Sequence, residues 1–133
     1  MAIQALIVLA QADNACSSAA IAQDLDTHAV FLRRLLAQLV RAKIVEAREG
    51  RDGGYRLARP AGQITLAEVY CAFRPAERGG DTNAPGNAGI HAALDAVDDQ
   101  IDQRVTEVFA QHTLATIIEH AAHAGTRQLP GCI

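Results

Sequence analysis

A chain of 133 residues fits one domain of ordinary size; half of the residues are hydrophobic, but only 4% are aromatic and none is tryptophan. Alanine, leucine, isoleucine and valine must therefore build the core, which favours closely packed helices, and no apolar run approaches the ~20 residues of a membrane span. The net charge of −3 is unevenly placed: residues 28–60 hold eight basic side chains against three acidic ones, and the rest of the chain holds four against twelve.

A localised basic surface on an acidic body is the footprint of a protein that touches a polyanion with one face. From charge alone, a solvated face is the simpler reading. The apolar segment 2–10 lacks the basic leader and cleavage site of a signal peptide. Cys16, Cys71 and Cys132 are odd in number and far apart, which suits a reducing compartment better than a disulfide framework. These features point to a soluble cytoplasmic protein.

Residues 2–12 (AIQALIVLAQA) read as a buried helix with Ile3, Leu6, Ile7 and Ala10 at helical spacing, broken by Asp13 and Asn14. Ser17 or Ser18 can cap the next helix, SAAIAQDL, whose predicted inner stripe is Ala20, Ile21 and Leu25. Asp26, Thr27 and His28 form a turn, with Asp26 or Thr27 able to cap the helix after it. The spacing predicts that helix, amphipathic, over about residues 29–42, with Phe31, Leu32, Leu35, Leu36 and Leu39 inward. Arg33, Arg34, Gln38 and Arg41 lie on its outer side. Two short helices around a tight turn, the second of them basic, describe a helix-turn-helix.

The pieces IVEAR and YRLAR alternate apolar and polar residues as half-buried strands do, and EGRDGG joins them. Gly50, Gly53 and Gly54 permit positive φ in that connection, and Pro60 ends the second strand. A hairpin directly after a helix-turn-helix is a wing, with Arg51 near its tip and Arg48 and Arg56 on its arms. Residues 64–73 predict a short helix with Thr65 and Glu68 at capping-box spacing. A Gly/Pro-rich loop, 74–87, leads to a long helix at about 88–111, where Ile90, Leu94, Val97, Ile101, Val105, Val108 and Phe109 recur at 3–4 spacing. Asp95, Asp98, Asp99, Asp102 and Glu107 populate its other side. Such a helix spans ~36 Å, more than a small domain needs to cover itself, so part of its stripe should meet a second subunit. A last helix, 114–124, begins after Thr113, and the tail TRQLPGCI reads as frayed. The expected fold is mainly α with a small β-hairpin: a winged helix-turn-helix domain over 1–73, a loop over 74–87, and dimerisation helices and tail over 88–133.

The segments ALIVLA (5–10), SSAAIAQDLDTHAVFLRRLLAQLVRAKIV (17–45), GRDGGYRLARP (50–60) and ITLAEV (64–69) together resemble the Rrf2-type winged-helix transcriptional regulators of bacteria. The resemblance covers about residues 2–73 strongly; the long helix and TLATII (113–118) are consistent with it. It implies a homodimeric, non-enzymatic regulator, a repressor by expectation, that binds double-stranded DNA at a pseudo-palindromic operator. By position, the DNA-contacting parts fall on Ser17 and Ser18, on Thr27, His28, Val30, Arg33 and Arg34, and on Arg48, Arg51, Tyr55 and Arg56. The helix start suits phosphate oxygens, the arginines suit base edges or backbone, and Arg51 suits a narrow minor groove. The Tyr55 ring also has a simple structural reading, packing the hairpin against the helices. Family members usually carry about ten residues before the segment matching AIQALIVLA, whereas here Met1 precedes it directly.

Many such relatives carry three cysteines in the loop before the long helix and bind an iron–sulfur cluster there. Residues 74–92 contain no cysteine, so no cofactor is expected. Cys71, beside Tyr70 and Phe73, reads as a small buried residue. His120 and His123, with Glu119 and His112 nearby, have a spacing that can hold a metal but fall short of the three or four ligands that metal sites need; a solvated helix end explains them. No ordered catalytic triad or phosphate loop is present in the sequence. The alternative to a DNA regulator is a winged-helix module that binds protein. A small-molecule or redox signal acting on the loop 74–87 is compatible with either reading.

Overall fold

The computed structural model describes residues 1–74 and 88–124. They form helices α1 (Ala2–Gln11), α2 (Ser18–Asp24) and α3 (Ala29–Arg41), strands β1 (Val45–Arg48) and β2 (Gly54–Leu57), then α4 (Leu66–Ala72), α5 (Ala88–Ala110) and α6 (Leu114–Ala124). A 3-10 turn at Ala61–Gln63 precedes α4. The predicted loop, except Arg74, and the tail lie outside the described residues. Among the described residues no helix is long and apolar enough to cross a membrane.

The core is aliphatic, as the composition requires. Leu6, Ile21, Leu32, Leu36, Leu39, Ile44, Ile64 and Leu114 are fully buried, and they come from α1, α2, α3, α6 and the segments that lead into β1 and α4. Each such side chain contributes about 1.5–3 kcal/mol by leaving water. Two expected members are absent. Phe31 is exposed, because at 3.6 residues per turn it falls outside the arc of Leu32, Leu35, Leu36 and Leu39. Ala20 is exposed too; α2 buries Ile21 and Ala22 instead, one residue further round.

Both helices of the helix-turn-helix end in the same way. Asp26 adopts φ +49° and Lys43 φ +58°. After α2, Thr27 N–H donates to Ala22 O and Asp26 N–H to Gln23 O. After α3, Ile44 N–H donates to Leu39 O and Lys43 N–H to Val40 O. These are Schellman ends, each built on a residue other than glycine. The expectation that Asp26 or Thr27 caps α3 is thereby corrected: Asp26 closes α2, and His28 occupies the N-cap of α3 without a side-chain cap bond.

The predicted capping box is present at α4. Thr65 Oγ1 accepts from Glu68 N–H, and a Glu68 carboxylate oxygen accepts from Thr65 N–H at 2.9 Å. Arg59 adds an ion pair to Glu68 at 2.9 Å and a bond to Gln63 O. The Thr65 N–H holds the Glu68 carboxyl below its ordinary range; partial burial opposes this and the Arg59 guanidinium reinforces it. A single antiparallel bridge, Thr65 to Thr113, ties the starts of α4 and α6 together. Leu114 N–H donates to Ile64 O at 2.8 Å, so α6 returns to the winged-helix core.

The long helix uses two faces. Asp102, expected among the solvated carboxylates, is only 4% exposed. Here α5 docks on α4, and the arc facing α4 runs through Asp102, Thr106 and Phe109. Tyr70 Oη donates to Asp102 Oδ1 at 2.8 Å, Arg74 Nη2 donates to Oδ2 at 2.6 Å, and the Tyr70 and Phe109 rings meet edge to face at 5.5 Å. The stripe Ile90, Leu94, Val97, Ile101 and Val108 lies on the other face and is more than half exposed throughout. Cys71 is exposed as well, contrary to expectation, because it sits on the last turn of α4, past the buried Ala67 and Val69.

Candidate nucleic-acid interface

The wing is built by register. Val45 pairs with Leu57, Glu46 with Arg56, Ala47 with Tyr55 and Arg48 with Gly54. Gly50, at φ +109°, accepts from Gly53 N–H across the tip, which projects Arg51 and Asp52 into solvent. The sequence hid one further piece. Cys16 lies beside β2 as a one-residue third strand: its N–H donates to Tyr55 O at 2.9 Å, and its O accepts from Tyr55 N–H at 2.7 Å. No sequence signal marks a bridge of one residue.

That bridge dictates Gly54. Its φ is +145°, and a Cβ there would stand 2.5 Å from Cys16 O. Gly54→Ala is expected to cost about 2–3 kcal/mol through strain and lost bridging. Thermal unfolding followed by circular dichroism checks it; an unchanged midpoint would mean that the wing is not braced in this way.

The same bridge connects the functional elements. Ser17, next to Cys16, caps α2 by accepting from Ala20 N–H at 3.1 Å. Ser18 Oγ accepts from Arg33 Nε at 3.3 Å, which ties the front of α3 to the start of α2. Ser17, Arg48, Arg51 and Arg56 also line one open groove of about 990 Å³. The structure thus sets Ser17, Arg48, Arg51 and Arg56 around one groove, with Ser18 and Arg33 bonded to each other next to Ser17 and Tyr55 joined through its backbone to Cys16. Thr27, His28, Val30 and Arg34 fall at the turn and the front of α3. Of these, His28, Val30 and Arg34 are exposed, and Thr27 is half-buried.

The cations differ in their engagement. Arg56 is paired with Glu46, and Arg48 lies 3.8 Å from the same carboxylate. Such exposed pairs are worth little and exchange readily for another anion. Arg34 and Arg51 have no ion-pair partner among the described residues. Arg59 is taken up by Glu68 and serves the fold. The Tyr55 ring packs against the core, so it anchors the wing. Among the described residues no three His, Cys, Asp or Glu side chains converge on a metal site, and His123 Nδ1 instead meets Glu119 O at 2.7 Å.

Comparison with known proteins gives this arrangement a context. Residues 1–120 match the family model Rrf2, described as iron-dependent transcriptional regulator. The chain is 34% identical over 93 residues to the HTH-type transcriptional regulator IscR of Cereibacter sphaeroides, which covers 67% of this chain and 60% of that one. It is 41% identical over 73 residues to protein aau3 of Rhizobium meliloti, which covers 49% and 47%. The match therefore spans between about half and three fifths of those relatives. Among solved structures, T. potens IscR superposes with a TM-score of 0.70 at 24% identity, covering 96% of this chain and 88% of that one. B. subtilis CymR does so with a TM-score of 0.64 at 23% identity, covering 90% and 91%. At those identities the structural likeness establishes the fold.

Proposed function

Because this chain belongs to the Rrf2 family of transcriptional regulators, which are not enzymes, we propose that it is a homodimeric cytoplasmic repressor that binds a pseudo-palindromic operator. The carrying observation is the chain of bonds that runs from the wing through Cys16 to the Ser18–Arg33 contact at the front of α3. A helix front of this kind enters the major groove, while a glycine-hinged arginine such as Arg51 lies along the backbone or minor groove. His28 caps α3 without a side-chain bond, so the first-turn N–H groups face outward with no internal acceptor from a cap, which suits a phosphate oxygen. Ser17 and Ser18 stand at the corresponding start of α2.

The exposed stripe of α5 supplies the dimer contact. Ile90, Leu94, Val97, Ile101 and Val108 follow a 4-3-4-7 spacing, which presents a narrow seam to a second copy of the helix. A two-fold dimer then sets two recognition helices on two half-sites.

The family description speaks of iron, and the resemblance points to a cluster held by clustered cysteines. The donor set of this chain does not fit such a group. Cys16 is fixed in the wing, where its Sγ donates to Asn14 O, and Cys71 lies on α4, while residues 75–87 carry no cysteine. A cluster needs several thiolates at one place. We read the regulator as cluster-free.

The test is retardation of promoter DNA, beside an unrelated duplex, in low and in moderate salt. With about four phosphates neutralised per protomer, operator affinity is expected to fall roughly 10⁴-fold between ~50 and ~200 mM salt. Arg51→Ala should weaken binding to every sequence, and Arg34→Ala should also change sequence preference if it reads a base. A flat salt response, or equal retardation of both duplexes, would leave the wing to a protein partner.

A further inference from the structure

The front of α3 carries an apolar pair that the fold does not use. Val30 is 63% exposed and Phe31 49% exposed, and Phe31 has no place in the core. At 100° per residue, Val30 and Arg34 point directly outward and Phe31 stands on their flank. The residues 29–41 hold three arginines and no carboxylate. A face of that charge selects a polyanion as its occupant. Duplex DNA exposes one apolar group in its major groove, the 5-methyl of thymine. We propose that Phe31 reads sequence by packing its ring on thymine methyl groups, with Val30 beside it. The proposal rests on operator binding by α3 and makes that binding specific in one respect: at least one thymine per half-site is recognised through its methyl.

The experiment removes only that methyl. Each thymine of the operator is replaced in turn by deoxyuridine, and affinities of the full-length protein are measured at fixed salt. A methyl buried on an apolar ring is worth about 0.8 kcal/mol, or about a fourfold change in affinity. One or two deoxyuridine positions per half-site are expected to show that loss with the wild type. Phe31→Ala should bind the thymine operator about tenfold less tightly and show no further loss on the deoxyuridine duplexes. Because Phe31 is exposed, the variant should keep the wild-type thermal midpoint. Wild-type protein that binds its operator yet is indifferent to every methyl overturns the inference and leaves operator binding standing. Methyl sensitivity that persists in Phe31→Ala overturns it equally. Absence of specific binding to the thymine operator, seen before any substitution, overturns both.

Discussion

Replacing Asp102 by alanine is expected to lower stability by about 3 kcal/mol, near the low end for breaking a buried ion pair. The carboxylate is 4% exposed and accepts from Tyr70 and Arg74 at once. Its loss removes the acceptor of the Tyr70 hydroxyl bond and of the Arg74 bond at the junction of α4 and α5. The Arg74 side chain is 37% exposed and regains water, which keeps the cost from rising further. For a chain of this size the midpoint should fall by roughly 10 °C, measured at one fixed protomer concentration because self-association of the kind proposed would add stability. Tyr70→Phe, which removes one hydrogen bond and keeps the ring against Phe109, should cost only about 1 kcal/mol. Equal, small losses in both variants would mean that α5 is held by its apolar contacts alone. The consequence reaches function, since this junction sets the direction in which the free half of α5 leaves the DNA-binding unit.

The second large effect concerns that free half. The double substitution Val97→Glu and Ile101→Glu should leave the fold of each protomer intact, since both side chains are exposed. It should convert the protein to a monomer in sedimentation at micromolar concentration, because facing carboxylates cannot be buried without partners. Operator affinity should fall at least about 100-fold, since the second half-site is then no longer engaged from the same molecule. A wild-type protein that sediments as a monomer, or a double variant that remains dimeric, would move the assembly surface elsewhere.

The two helices and the hairpin of the winged unit were legible because their signals are local. Heptad-like leucines mark α3, a serine marks the start of α2, and Thr65 with Glu68 marks α4. Where two neighbouring residues compete for the inner face, periodicity alone is imprecise, and Phe31 and Ala20 turned outward by one step of the helical wheel. Asp26 shows the same limit: its residue type suits a cap as well as a left-handed helix end, and only the bonds from Thr27 and Asp26 back to Ala22 and Gln23 decide between them.

By itself, the sequence determined the class of the protein. An aromatic-poor aliphatic composition favours helical packing, and the concentration of arginine in residues 28–60 calls for an anionic partner or bulk water. Family membership rests on the same local motifs. Tertiary structure alone decided which side chains are free to act. Glu46 engages Arg56 with Arg48 close by, Glu68 takes Arg59, and Arg34 and Arg51 have no ion-pair partner among the described residues. It also decided that Cys16 braces the wing and that Asp102 is buried while Ile101 beside it is not. The pairs Glu46–Arg56, Arg59–Glu68, Tyr70–Asp102 and Cys16–Tyr55 join residues 9 to 39 positions apart, and a pattern read along one strand or one helix carries no information about what the chain brings against it.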